Sequence, residues 1–315
     1  MHLAGRRAPP LFVSALLHGD EDTGLRAVQA LLSDYAGREL PRALSILVGN
    51  VAAARWGVRR LEGQADFNRI WPGAPQGDAP EHAMAREVVE QMGRRGVFAS
   101  IDIHNNTGLN PHYACVNRLD YRYLHLATLF GRTVVYFTYP RGVQSLAFAE
   151  LGPAVTLECG RAGEPEGVAH AREYLEAGLR LAAIPDHPVA HSDIDLFHTV
   201  AVVKVPDAVS FAFGEAEVDV RFSGDLERLN FQELPAGTTF GWARPGVNAW
   251  LHVRDAEGRD RTEHYFRLDG DAIRTRVPVM PSMLAANRRA VRQDCLCYLM
   301  ERISPQLAAQ GPVGG

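Results

Sequence analysis

The chain is 315 residues long and 46% hydrophobic, with 33 Lys and Arg against 37 Asp and Glu for a formal charge of −4. That length is more than one hydrophobic core usually serves, so a large domain followed by a smaller one is expected. Charge of both signs is spread along the chain and leaves no basic stripe for nucleic acid, and no apolar run reaches the roughly 18 residues of a membrane span.

The N-terminus carries Arg6-Arg7 and then an apolar run, an outline shared with secretory signals. Pro9-Pro10 interrupts it and no small-x-small cleavage site follows, so the segment reads as part of the fold. Residues 11–17, LeuPheValSerAlaLeuLeu, have the length and composition of a buried strand, and 23–35 repeat apolar residues at helical spacing. Between them lies His18-Gly-Asp-Glu21, at the carboxyl end of the strand, where open α/β sheets bind ligands. An imidazole and a carboxylate three residues apart can grip one metal ion. With 12 His and 19 Glu, roughly 0.7 such pairs arise by chance, so context must decide. His170-x-x-Glu173 has the same spacing inside an amphipathic helix and reads as a solvated helix face.

Further strands are predicted over 44–51, 97–103, 133–138 and 154–158, and helices over 80–95, 120–131 and 166–183. This alternation predicts an α/β fold: a mostly parallel sheet flanked by helices. Arg59-Arg60 precede Asp66-Phe-Asn68-Arg69, a loop whose amide and guanidinium suit capture of a carboxylate, and one of the two arginines can meet a carbonyl oxygen under attack. The strand IleAspIleHis104 ends in a polar cluster. His104 completes a His, Glu, His set that leaves a position open, as catalytic zinc requires, and Asp102 alternates to the same face as an orienting acceptor. Glu158 ends the strand ValThrLeuGlu, in the position of a general base. Cys115, Cys159, Cys295 and Cys297 form no CxxC pair or disulfide framework, which points to the cytosol.

After Pro185 short alternating runs separated by Gly, Pro and Asp turns predict an antiparallel β domain, and residues 283–303 read as an amphipathic helix before a Gly/Pro-ending tail. The expected division is therefore a zinc-hydrolase domain of α/β architecture over 1–190, an antiparallel β domain over 191–282, and a C-terminal helix with a flexible tail over 283–315.

Four motifs in order, HisGlyAspGlu, Asp-x-Asn-Arg, AspIleHisAsnAsn and LeuGluCysGly, resemble the zinc carboxypeptidase superfamily, in its aspartoacylase and succinylglutamate desuccinylase branch. The resemblance covers about residues 11–183. It implies one zinc per chain on His18, Glu21 and His104, Arg60 polarising the scissile carbonyl, Asn68 and Arg69 binding a substrate carboxylate, and Glu158 as the base. Arg59 stays an alternative to Arg60, because this chain carries an extra residue before the Asn-Arg pair. Two departures stand out. Such sequences carry a second substrate-binding Arg shortly before the base, where this chain reads Gly142-Val-Gln144-Ser145-Leu-Ala with Tyr139 and Arg141 as nearby substitutes, and a substrate-contacting Tyr of the last β segment is replaced by residues 278–287.

The expected activity is hydrolysis, in the cytoplasm, of the amide of a small N-acylated amino acid or similar carboxylate-bearing amide. The expected partner is that small molecule, with no nucleic acid or membrane, and self-association into a homo-oligomer is left open. A metallocarboxypeptidase acting on peptide C termini is the alternative within enzymes, and a metal-free binding module the alternative outside them.

Overall fold

The computed structural model describes residues 1–75, 77–247 and 250–304. It divides into two compact units, the first formed by 1–105, 112–197 and 303 onward, the second by 106–111 and 198–302.

The first unit contains β1 (His2–Leu3), β2 (Leu11–Ala15), α1 (Thr23–Asp34), β3 (Leu44–Val48), α2 (Val51–Ala54), α3 (Pro80–Arg95), β4 (Ala99–Asn106), β5 (Tyr113–Val116), α4 (Tyr121–Thr128), β6 (Thr133–Tyr136), α5 (Gln144–Phe148), β7 (Ala154–Arg161) and α6 (Pro165–Arg180). The strands lie in the order β1-β3-β2-β4-β7-β5-β6. β2 runs parallel to β3 and β4, and β5 parallel to β6, while β1 on β3 and β5 on β7 are antiparallel. The fold is thus the expected α/β sheet with flanking helices, in mixed form. β5 goes unforeseen because Tyr-Ala-Cys-Val is only four residues long, and all four are buried.

Alternation along the central strands decides what each face of the sheet carries. Leu11 and Ile101 lie under Gly178 of α6, and Ala15 and Ile103 under Gly24 of α1, which leaves so little room that a Cβ on Gly24 would stand 2.8 Å from that of Ile103. α1 and α6 bury Val28, Leu31, Tyr174 and Leu179 and pack against each other. The intervening residues Phe12, Ser14, Ser100, Asp102 and His104 point to the opposite face, where Phe12 stacks on Phe148 of α5 with ring centroids 4.3 Å apart. Every residue of β4 is buried. A buried strand face that carries serine, aspartate and histidine must satisfy them internally, so the sequence spends core positions on a polar column.

The boundaries of α3 match the expected 80–95, with Pro80 opening it and Gly96 at φ 75° closing it. α6 likewise opens on Pro165. The helix face read as solvated is exposed at Glu173, while His170 is half-buried: its ring stacks on Phe130 at 4.1 Å, its Nε2 bonds the Phe130 carbonyl, and its Nδ1 lies 2.8 Å from that of His112.

β8 (Asp195–Lys204) carries the chain into the second unit. There β9 (Phe211–Phe213), β10 (Val220–Phe222), β11 (Thr239–Ala243), β12 (His252–Arg254), α7 (Thr262–Tyr265), β13 (Phe266–Asp269), β14 (Ala272–Thr275), β15 (Met280–Ser282), α8 (Arg288–Gln293) and β16 (Cys297–Arg302) follow. A five-stranded sheet has the order β13-β14-β11-β10-β9, antiparallel except for β9 on β10. The predicted helix over 283–303 is corrected. Only Arg288–Gln293 is helical, capped by Asn287 accepting from Arg289 N and Ala290 N, and Cys297–Arg302 is a strand. Six consecutive buried residues, Cys295 to Met300, are too many for one helical face, and a strand hides them on both sides. The predicted tail beyond residue 304 lies outside the described residues.

Candidate active site

β2 and β4 deliver the first groups. Past Ala15 the chain turns through Leu16, held at φ 61°, and places His18 and Glu21 just before α1. His18 Nδ1 lies 2.7 Å from Glu21 Oε1, and His104 Nδ1 lies 2.8 Å from Glu21 Oε2. The ring centroids of the two histidines are 5.0 Å apart. One ligand atom from each of His18, Glu21 and His104 falls within 4.8 Å of the others, the sole such cluster of His, Cys, Asp or Glu among the described residues.

Each imidazole turns its far nitrogen to an acid. His18 Nε2 lies 3.1 Å from Asp66 Oδ1 and His104 Nε2 lies 2.8 Å from Asp102 Oδ2. Asp102 is fully buried and accepts Ser14 Oγ at 2.7 Å on its other oxygen. An Nε2–H donated to a carboxylate holds each ring with its Nδ1 toward Glu21, the outer-shell arrangement that orients metal-bound histidines, and a protonated ring donates that Nδ1–H to Glu21.

The electrostatics agree. Burial alone would raise the Glu21 carboxyl and lower the His104 imidazolium, yet the charges of His18 and His104 hold Glu21 well below the usual carboxylate range, and Asp102 and Glu21 hold His104 well above the usual imidazole range. Asp66, half-buried, would be raised by desolvation but is kept low by its bond from His18 and by Arg59. The three carboxylates take positive charge from the two imidazoles and Arg59, and a cation held between the Nδ1 atoms and Glu21 would supply the same charge. A divalent cation with nitrogen and carboxylate ligands fits that role, and two His and one Glu are a donor set for catalytic zinc.

The two adjacent arginines part company. Arg59 donates Nε and Nη2 to Asp66 Oδ2 at 3.2 and 3.0 Å and brings Nη1 to 3.9 Å from Glu21. Arg60 donates instead to the Gln64 carbonyl at 3.0 Å. The irregular loop after α2 thus brings the Arg59 side chain beside the cluster and turns that of Arg60 to the Gln64 carbonyl, with the Arg59 carbonyl accepting Gly19 N at 3.0 Å.

Asn68 lies beside His104, its Nδ2 3.3 Å from His104 Nε2, and its Oδ1 accepts Gln144 N at 3.0 Å. Arg69 donates Nη1 to the Asn68 carbonyl at 2.7 Å. Gly142, at φ 79°, takes Trp71 N on its carbonyl and passes so near Arg69 that a Cβ would stand 2.5 Å from the Arg69 carbonyl oxygen. Tyr139 and Arg141 are exposed on the same segment before Gly142. Glu158, in register with Tyr113 on β5, is 7% exposed, and burial pushes its carboxyl up to about 8. The charge of His104 pulls against that rise, while Glu21 and Asp102 add to it.

Residues 7–181, more than half of the chain, match the model of the succinylglutamate desuccinylase/aspartoacylase catalytic domain. The chain belongs to that family of hydrolytic deacylases. Succinylglutamate desuccinylase of Yersinia enterocolitica is 26% identical over 268 residues, 74% of each protein. Among solved structures, succinylglutamate desuccinylase from Chromobacterium violaceum aligns with a TM-score of 0.62 at 20% identity, over 95% of this chain and 86% of that one. The product-bound ectoine utilization protein EutE (DoeB) from Ruegeria pomeroyi gives 0.64 at 17%, over 96% and 88%, and murine aminoacylase 3 gives 0.56 at 16%, over 94% and 97%. These likenesses share the fold.

Ser14, Asp66 and Gln144 are the members of the site that the sequence reading does not single out for a role. A serine in the apolar run of β2 and an aspartate two residues before Asn68 are the signals that point to the first two.

Proposed function

We propose that this deacylase is zinc-dependent and hydrolyses the amide bond of a small N-acylated amino acid or similar carboxylate-bearing amide. One observation carries the reading: two Nδ1 atoms converge on the two oxygens of Glu21, each from an imidazole whose Nε2 is held by an aspartate.

His18, Glu21 and His104 would hold one zinc ion, which supplies Lewis-acid polarisation of the amide carbonyl and lets water act as a nucleophile near neutral pH. Asn68 offers its amide N–H and Arg69 its guanidinium to the substrate carboxylate, which fixes the amide over the cluster. Arg59, 3.9 Å from Glu21, is the cation available to a carbonyl oxygen as it gains negative charge. Glu158 takes the proton of the attacking water and returns it to the departing amine. A carboxyl pushed up to about 8 keeps that proton long enough to donate it, and the positive charge of the proposed cation and Arg59 would favour the ionised form that must accept it. Tyr139 and Arg141, on the exposed segment before Gly142, are proposed to meet the distal part of the substrate.

No described helix is long and apolar enough to cross a membrane. The four cysteines are buried and form no disulfide, which suits the reducing cytoplasm proposed for the enzyme.

The test is a panel of N-succinyl and N-acetyl amino acids, together with a peptide, followed by amine release while metal content is measured on protein purified without chelator. Release of an amino acid from the acyl substrates supports the reading. Release of C-terminal residues from the peptide alone would make the enzyme a carboxypeptidase, and protein that neither binds zinc nor turns over would be a binding module.

A further inference from the structure

Gln144 opens α5 in full burial, as does Ser145 after it. Its backbone N donates to Asn68 Oδ1 at 3.0 Å, and its side-chain Nε2 donates to Ser100 Oγ at 2.8 Å. Ser145 Oγ takes the hydroxyl of Thr156 at 3.0 Å. Ser100 stands four residues before His104 on β4, and Thr156 two residues before Glu158 on β7. The first turn of α5 is thus tied to both strands that deliver the site's histidine and its acid.

The consequence falls on Asn68. A primary amide has an accepting end and a donating end that differ little in shape, so its orientation is set by its partners. With Oδ1 held by the Gln144 N–H, the donating end must face the other way, toward His104. There Nδ2 meets His104 Nε2 at 3.3 Å, but that nitrogen's proton is committed to Asp102 at 2.8 Å. Donor faces donor, so the Asn68 N–H groups are kept for an oxygen that the protein does not itself supply. Reversed, the same amide would present its oxygen and repel a carboxylate.

Gln144 Oε1 is buried without a hydrogen-bond partner. An apolar residue of similar length would avoid that cost, which argues that the donating end of this side chain, on Ser100, is what the position needs.

We infer that Gln144 is a positioning residue: anchored by Ser100, it holds the Asn68 amide with its donor end outward and so makes Asn68 a selective hydrogen-bond donor to the substrate's carboxylate. The inference rests on the proposed role of Asn68.

The experiment is a double-mutant cycle of Gln144→Met and Asn68→Ala, with Ser100→Ala as a second probe should the Met variant fold poorly. Kinetics are read on the best N-acyl amino acid of the panel and on its α-carboxamide, with metal content measured alongside. Asn68→Ala and Gln144→Met are each expected to raise KM for the acid about tenfold with kcat within about threefold, to lower the preference for acid over carboxamide by the same factor, and to leave zinc content unchanged. Ser100→Ala is expected to shift KM in the same direction by about threefold. In the Asn68→Ala background Gln144→Met should change KM by less than about twofold. An Asn68→Ala variant with normal KM would remove the carboxylate role of Asn68 and this inference with it. An impaired Asn68→Ala variant beside a silent Gln144→Met, or beside a KM effect of full size in both backgrounds, would overturn the role of Gln144 alone.

Discussion

Asp66 lies 48 positions from His18 in the chain and 3.1 Å from its Nε2 in the fold. Its other oxygen accepts Arg59, so one half-buried carboxylate orients an imidazole of the cluster and an arginine at once. Asp102 does the corresponding service for His104 with Ser14 as its second partner. The two acids orient the two imidazoles, and under the proposed zinc role their removal should be felt in metal affinity.

Asp66→Asn and Asp102→Asn should each weaken zinc binding by about 10- to 100-fold, the usual cost of losing an outer-shell partner. Competition with a chromogenic chelator measures this. Asp66→Asn should in addition lower kcat, because Arg59 loses its anchor, whereas Asp102→Asn at saturating zinc should have the smaller effect on turnover.

Arg59→Ala should lower kcat by about 100- to 1000-fold if its guanidinium meets the developing oxyanion, and Arg60→Ala, whose side chain serves the Gln64 carbonyl, should stay within about threefold of the parent. Steady-state kinetics on the two single variants decide between neighbours. Equal losses would show that the loop rearranges around substrate.

Glu158→Gln should abolish most turnover, by about 100- to 10,000-fold, while zinc content stays near one per chain. Stability should move the other way. The Glu158 carboxyl sits at about 8 in the fold and near 4.5 when unfolded, so between those values the unfolded chain sheds a proton that the folded chain keeps. Rising pH across that window therefore destabilises the parent, with no contribution below it and the full penalty above it. Thermal melts of the chelated proteins should show the glutamine variant gaining on the parent from pH 5 to pH 8. A stability difference independent of pH would contradict the buried-acid assignment.

Gly142→Ala should cost about 1–3 kcal/mol, since the residue is at φ 79° and its Cβ would press the Arg69 carbonyl at 2.5 Å. Because that push falls on the segment carrying Asn68 and Arg69, KM should rise along with the fall in melting temperature. A pure stability loss with normal KM would separate Gly142 from substrate binding.

The sequence makes His18, Glu21 and His104 legible for a physical reason: His18 and Glu21 follow one strand, His104 lies near the end of its parallel neighbour, and parallel strands end on one side, so polar residues there meet. Asp102 follows from strand alternation alone. Arg59 against Arg60 does not, because an irregular loop has no period to say which of two neighbours points inward. Gln144 reaches Asn68 through its backbone N–H, a contact every residue except proline can make and no motif encodes. In the second unit, Cys295 to Met300 hold enough apolar residues for a helix or a strand, and only the partner strand, through bonds such as Leu296 N to the Val203 carbonyl, settles which forms.

The central claim meets its most direct test in metal analysis joined to activity on one sample. Protein purified without chelator should carry about one zinc per chain, should stop releasing amine from its N-acyl amino acid substrate when the metal is stripped, and should recover when zinc is restored, in line with a site that leaves a coordination position open. Full activity in protein shown to be free of divalent metal, or a His18→Ala/His104→Ala double variant that still binds zinc as the parent does, would contradict the account.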